Sequence, residues 1–160
     1  MTMRDVLIVD DDKAVREALA TFIDSQDDMT VVAQASTGRE AVERTGETRP
    51  DVVIIDITMP DGNGIEAIQE IRELYPEVRA LVLTMHEEGQ YVVRAIQAGA
   101  MGYLTKQSAP EQLVTAIRKI HAGQRYITDE AAEALALRVA KGTDGKSPLD
   151  SLSMRELQVL

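Results

Sequence analysis

At 160 residues, 44% of them apolar, the chain is long enough for one well-packed domain plus a small appendage, and too apolar to be disordered over its bulk. A formal net charge of −10 argues against non-specific attraction to nucleic acid or anionic membranes, and the lack of cysteine excludes disulfides and thiolate metal sites. The opening MTMRDVLIVDDD lacks the apolar length of a signal peptide and no later stretch approaches a membrane span, so a soluble cytoplasmic protein without a membrane partner is expected.

The first apolar run, residues 6–9 (VLIV), ends in three consecutive acids, Asp10, Asp11 and Asp12. Brief and without alternation, it suits a strand buried on both faces of a sheet. Asp12 then stands where a helix wants its N-cap, ahead of Val15, Ala18, Leu19, Phe22 and Ile23 on one helical face. A second run covers residues 31–33, and Thr37 with Glu40 has the spacing of a capping box. The third run, residues 52–55, enters Asp56 and the loop ITMPDGNG, after which Asn63 and Glu66 repeat that spacing before Ile65, Ile68, Ile71 and Leu74. A fourth run, residues 80–83, ends at Thr84, with Met85 and His86 next and a stripe of Val92, Val93 and Ile96 beyond. The fifth, residues 102–104, contains Tyr103 and leads to Lys106; Ser108 with Glu111 then opens a helix bearing Leu113, Ile117 and Ile120. Strand-helix alternation of this kind predicts an α/β, doubly wound, five-stranded parallel sheet covered by helices on both faces, over residues 4–122.

The pattern changes after Gly123. QRYITDEAAEALALRVAK reads as one more helix with Thr128 as its cap, serving either as a homodimer surface or only as a tether. GTDGKSPLD, residues 142–150, has a linker's composition, so residues 123–150 form a helix and linker. In residues 151–160, Ser153 and Glu156 again show capping-box spacing, the beginning of a helix whose domain continues beyond them.

In doubly wound sheets, ligands bind beyond the carboxyl ends of the strands at a topological switch point. Adjacent first and third strands would gather Asp10, Asp11 and Asp56 on that rim, where their mutual repulsion calls for a hard divalent ion such as Mg²⁺ or a cationic side chain. Thr84 and Lys106 leave the fourth and fifth strands at the same rim. Two acids for a metal, a carboxylate nucleophile, a hydroxyl and an ammonium suit the making and holding of an aspartyl phosphate, with Asp56 carrying the covalent bond.

LIVDDD, IIDITMP, LVLTMH and GAMGYLTK, in that order, resemble the receiver domains of two-component response regulators over residues 4–122. The resemblance implies a flavodoxin-like strand order 2-1-3-4-5 and a phosphoacceptor, Asp56, charged by a sensor histidine kinase, in a switch that assists its own phosphorylation and dephosphorylation rather than a classical enzyme. It implies that Asp11, Asp56 and the Thr58 carbonyl ligate Mg²⁺ with Asp10 in support. On phosphorylation Thr84 would move toward the phosphate and Tyr103 would turn inward. GQRYIT with its following helix and LSMREL are similar to the NarL/FixJ group with a LuxR-type helix-turn-helix, and to GacA/UvrY-type regulators within it. DNA contact would then run only through the part of that domain missing here.

Departures from the family pattern carry expectations of their own. Met85, bulky after the threonine, should crowd the phosphate; Gln107 replaces a common proline; Asp12 replaces a common histidine. Two rivals remain: a haloacid-dehalogenase-like phosphatase with Asp10 as nucleophile and Asp12 as acid, and a receiver-like module that binds without phosphorylation. Ala14, where the phosphatase motif wants Thr or Val, weakens the first.

Overall fold

A strand with aliphatic side chains on both sides must be covered on both sides, and the architecture follows from that requirement. The computed structural model describes residues 3–57, 59, 64–85, 89–106, 108, 110–129, 131–133 and 136–137. In chain order it contains β1 (Arg4–Val9), α1 (Lys13–Asp24), β2 (Met29–Ala35), α2 (Gly38–Thr48), β3 (Val52–Ile55), α3 (Gly64–Leu74), β4 (Arg79–Thr84), α4 (Gly89–Ala98), β5 (Gly102–Thr105), α5 (Pro110–His121) and β6 (Tyr126–Ile127). All strand pairs are parallel, in the order β2-β1-β3-β4-β5-β6.

The period-2 alternation of side chains divides each central strand between two cores. Leu7, Val9, Val53, Ile55 and Val82 join one cluster with residues of α2, α3 and α4, such as Ala41, Ile68 and Ala95. Val6, Ile8, Val52, Ile54 and Leu81 join the other with Ile23 of α1 and Leu113, Ile117 and Ile120 of α5. This is the predicted doubly wound sheet, with every expected strand found and most of them a residue or two longer than its aliphatic run. Leu74, expected on the buried face of α3, is 57% exposed because it lies at the helix's last position.

The sheet has six strands, not five. The stretch read as one more helix after Gly123, with Thr128 as its cap, is preceded by β6, whose Tyr126 N–H donates to the Met101 carbonyl at 3.0 Å and whose follower Thr128 donates its N–H to the Tyr103 carbonyl at 3.3 Å. Otherwise-unpaired edge carbonyls of β5 attract any strand-compatible residues that reach them, and Tyr-Ile is such a pair. Gly123, at φ +90°, makes the turn that brings the chain there from α5. The helix begins only after Thr128, which caps it as expected: its hydroxyl accepts from the Ala131 N–H at 3.3 Å. Ala131 is fully buried in the cluster on the α2–α4 side.

Helix starts bear out two cap assignments in detail. Asp12 accepts from the Ala14 and Val15 amides at 2.9 and 3.3 Å, and Thr37 accepts from the Glu40 amide at 3.0 Å. The Glu40 carboxylate returns one residue earlier than a standard capping box, to the Ser36 amide at 2.7 Å. Ser108 turns back instead, its amide donating to the Thr105 carbonyl at 3.0 Å, while α5 opens at Pro110, a residue suited to a first helical turn. Asn63 lies outside the described residues. Among them, no helix is long and apolar enough to cross a membrane.

Gly64 fixes how closely α3 approaches the end of β3. A Cβ on it would stand 2.6 Å from Ile57 Cα and 2.8 Å from the Asp56 carbonyl oxygen, both backbone atoms that cannot swing aside. Gly64→Ala should therefore cost about 1–3 kcal/mol through forced backbone displacement, measured as a lower midpoint of urea or thermal unfolding.

Candidate functional site

Register along the sheet carries four strand ends to one rim. Val9 pairs with Ile55, so Asp10 and Asp56 are the next residues of neighbouring strands. Thr84 pairs with Thr105, so Lys106 follows immediately beside them. Backbone bonds hold the exits in place: Asp56 N–H donates to the Val9 carbonyl at 3.1 Å, Asp10 N–H to the Ala35 carbonyl at 3.1 Å, and Lys106 N–H to the Thr84 carbonyl at 2.7 Å. The crossover between β1 and β3 is the switch point where a ligand is expected.

One carboxylate oxygen each from Asp10, Asp11 and Asp56 lies within 4.8 Å of the others. Asp10 and Asp56 are buried, at 2% and 4% exposure, whereas Asp11 faces solvent. The Lys106 Nζ sits between the two buried acids, 2.8 Å from Asp10 Oδ2 and 3.0 Å from Asp56 Oδ2. Two carboxylate charges about 4 Å apart repel by roughly 4 kcal/mol at an effective dielectric near 20, so the ammonium offsets a substantial repulsion. Three oxygen donors against one cation leave an acidic cluster that can hold a hard metal ion.

Titration follows from this packing. Burial pushes the Asp10 carboxyl above its ordinary value, and the hydrogen bonds from Lys106 and the Asp12 amide reverse only part of that push. Burial pulls the Lys106 ammonium down, but the hydrogen bonds to Asp10 and Asp56 and the charges of both acids carry it above its ordinary value. Opposed environments of this kind gather at sites of chemistry.

The predicted residues converge unevenly. Asp10, Asp11, Asp56 and Lys106 meet directly; Thr84, fully buried, ends the adjacent strand. Tyr103 is 1% exposed, its ring packed in the core on the α2–α4 side. Met85 is 59% exposed, with most of its side chain in solvent. Asp12 is occupied as the cap of α1. Thr58, His86 and Gln107 lie outside the described residues.

Arg16 escaped the sequence reading. From α1 its Nη1 reaches back to the Asp10 carbonyl at 2.6 Å, bracing the peptide between the first two acids. A lone arginine in an amphipathic helix carries no sequence signal for this; only the acids six and five positions before it hint at the use.

Because the folded-state pKa of Asp10 is raised, its contribution to stability is fully present below the ordinary carboxylate range and is lost as pH rises through the folded value. Ionised Asp10 is thus a liability at neutral pH. Asp10→Asn should raise the thermal midpoint at pH 7, and the gain should shrink toward zero as the pH falls below the ordinary carboxylate pKa, read from melting curves across pH.

Comparison with known proteins agrees with this fold. The family model for the response regulator receiver domain matches residues 6–118. The chain is 40% identical over 157 residues to the response regulator GacA of Pseudomonas aeruginosa, an alignment spanning 98% of this chain and 73% of that protein. It is 39% identical over 158 residues to the response regulator UvrY of Escherichia coli, covering 99% and 72% respectively. Among solved structures, a two-component response regulator of the LuxR family from Aurantimonas sp. SI85-9A1 superposes with a TM-score of 0.82 at 37% identity, over 87% of this chain and 99% of that one.

Proposed function

This chain belongs to the response regulator receiver domain family, and we propose that Asp56 is its phosphoacceptor. The observation that carries the assignment is the Lys106 ammonium bridging buried Asp10 and Asp56, with Asp11 completing the acidic cluster. A buried carboxylate next to a cation and two further acids, on a rigid strand end, is suited to attack on phosphorus. The partner is a sensor histidine kinase. Its phosphohistidine N–P bond breaks as an Asp56 Oδ–P bond forms, and the histidine nitrogen recovers its electron pair.

The donor set fits Mg²⁺. Asp11 and Asp56 would ligate it directly, Asp10 would support it, and the Thr58 carbonyl would complete the protein's share. When bound, the ion supplies neutralisation of phosphoryl oxygens. The chain's own residues do the rest. Lys106 would pair with a second phosphoryl oxygen, and the Thr84 hydroxyl would donate to a third. Arg16 keeps the Asp10 carbonyl in place.

Thr84 and Tyr103 form the switch in this reading. A charge-assisted hydrogen bond is worth roughly 1.5–3 kcal/mol, so a Thr84 contact made only in the active state shifts the population ratio by about ten- to a hundred-fold. The inward ring of Tyr103 is the arrangement such a shift would stabilise. Residues 4–122 act as the phosphoacceptor unit and residues 123–150 as helix and linker. Residues 151–160 begin a LuxR-type DNA-binding domain through which the cytoplasmic regulator would control transcription. A homodimer is the assembly that fits two-fold DNA sites.

Against the phosphatase alternative stands Asp12, whose Oδ1 is engaged as the cap of α1. Against a phosphorylation-independent module stands the intact set of Asp10, Asp11, Asp56, Thr84 and Lys106.

Incubation with acetyl phosphate and Mg²⁺ should add one phosphoryl group by intact-mass spectrometry, absent in Asp56→Asn. Borohydride reduction should mark Asp56; a mark on Asp10 would move the reading to the phosphatase. Thr84→Ala should take up the phosphoryl group yet lose most of the phosphorylation-induced change in amide chemical shifts around Tyr103, and a full response in that variant would break the coupling.

A further inference from the structure

At the end of the sheet opposite the carboxylates, a cavity of about 220 Å³ opens between the last turn of α3, the start of β4 and the turn from α4 into β5. Arg72, Arg79 and Arg125 line it over an apolar floor that includes Ile71, Ile96 and Met101, and among the described residues no Asp or Glu contributes to the lining. In a chain with 27 acidic residues against 17 basic ones, three arginines and no acid among the described lining residues depart from composition.

Arg72 and Arg79 are also used differently from several other arginines in the molecule. Arg4, Arg44, Arg49 and Arg118 each meet a carboxylate within 3.1 Å. Among the described residues, Arg72 and Arg79 reach only backbone carbonyls, those of Gln97 at 3.5 Å and His121 at 3.3 Å. Charge-assisted bonds are ordinarily about 2.7–2.9 Å, so both are weakly engaged, and a guanidinium has five N–H donors to offer. Gly99, at φ +115°, makes room for the arrangement: a Cβ there would collide with Arg72 Cδ.

We propose that this cavity binds a small oxyanion, the head of a phosphomonoester or a carboxylate, gripped by Arg72 and Arg79 with a short organic body on the apolar floor. Its volume of about 220 Å³ holds about seven water-sized groups at ~30 Å³ each, enough to admit a three- or four-carbon acid or phosphate. The site lies where three strands begin: Met101 donates its N–H to the Ala80 carbonyl of β4 at 2.9 Å and accepts from Tyr126 of β6. An occupant therefore braces the base of β4, β5 and β6. This does not depend on phosphoryl chemistry at the opposite rim.

The test is a ¹H–¹⁵N NMR titration of the full 160-residue chain, without Mg²⁺, using glycerol 3-phosphate in one arm and succinate in the other. Sodium chloride at matched ionic strength is the reference. Saturable shifts at Gly99, Met101 and the Arg72 and Arg79 Nε–H groups are expected with at least one anion, and the responding arm identifies the head group. Slower hydrogen exchange at the Tyr126 amide should accompany them. Arg72→Gln with Arg79→Gln should weaken the apparent Kd at least about tenfold, while Arg94→Gln on the exposed side of α4 should not. Arg72→Gln alone, at an exposed position, serves if the double variant unfolds. Shifts no larger than those with chloride in both arms, or binding unchanged by loss of Arg72, would overturn the assignment.

Discussion

A single ammonium between two buried carboxylates is the interaction on which the rim of this sheet depends. Asp10 and Asp56 are nearly removed from water, so each charge loses most of its hydration, and their proximity adds repulsion. Lys106 at 2.8 and 3.0 Å makes the pair tolerable. It does not make it comfortable, since burial still holds the Asp10 carboxyl above its usual range. A site left acidic and only partly neutralised retains a demand for further positive charge, which a bound divalent ion would meet. Instability stored at a functional rim and offset by the core beneath it is a common arrangement in folded proteins.

The core beneath supplies the offset because its strands are apolar on both faces. Residues 6–9 and 52–55 divide alternately between two clusters, each closed by its own helices. Central strands so held leave the acids little freedom at their exits, and the exits are tied further by Gly64 under the Asp56 carbonyl and Arg16 on the Asp10 carbonyl. Rigid supports of this sort matter more to group transfer than additional contacts at the reacting atoms do.

The parts of this arrangement legible in the sequence were those encoded by short-range pattern. Buried strands announce themselves as aliphatic runs, and polar residues at the ends of parallel strands share a rim whatever the detail, so Asp10, Asp56, Thr84 and Lys106 could be brought together from spacing. Asp12, Thr37 and Thr128 were readable as caps for the same local reason. β6 was not, because two residues cannot display a period and the stretch after them is strongly helical. The Arg16 bond and the Arg72–Arg79 cavity join elements through tertiary geometry alone, and a charged residue on a helix reads in isolation as solvated. The burial of Tyr103 and the exposure of Met85 were not legible either: inward or outward placement is a packing outcome that residue type does not specify.

Placing β6 in the sheet alters how the carboxyl-terminal segment relates to the rim. The strand that carries Tyr103 is hydrogen-bonded on one side to β4, which ends in Thr84, and on the other to β6. Thr128 bonds the Tyr103 carbonyl and caps the following helix, and Ala131 of that helix is buried in the same cluster as the Tyr103 ring. A shift at Thr84 therefore has a short, continuous route of backbone bonds and packed side chains to the segment beyond the sheet. Close-packed interfaces of this kind switch between discrete arrangements rather than deforming smoothly. Were Thr84 to move in the switch proposed above, the segment from β6 to Ala131 would move with it.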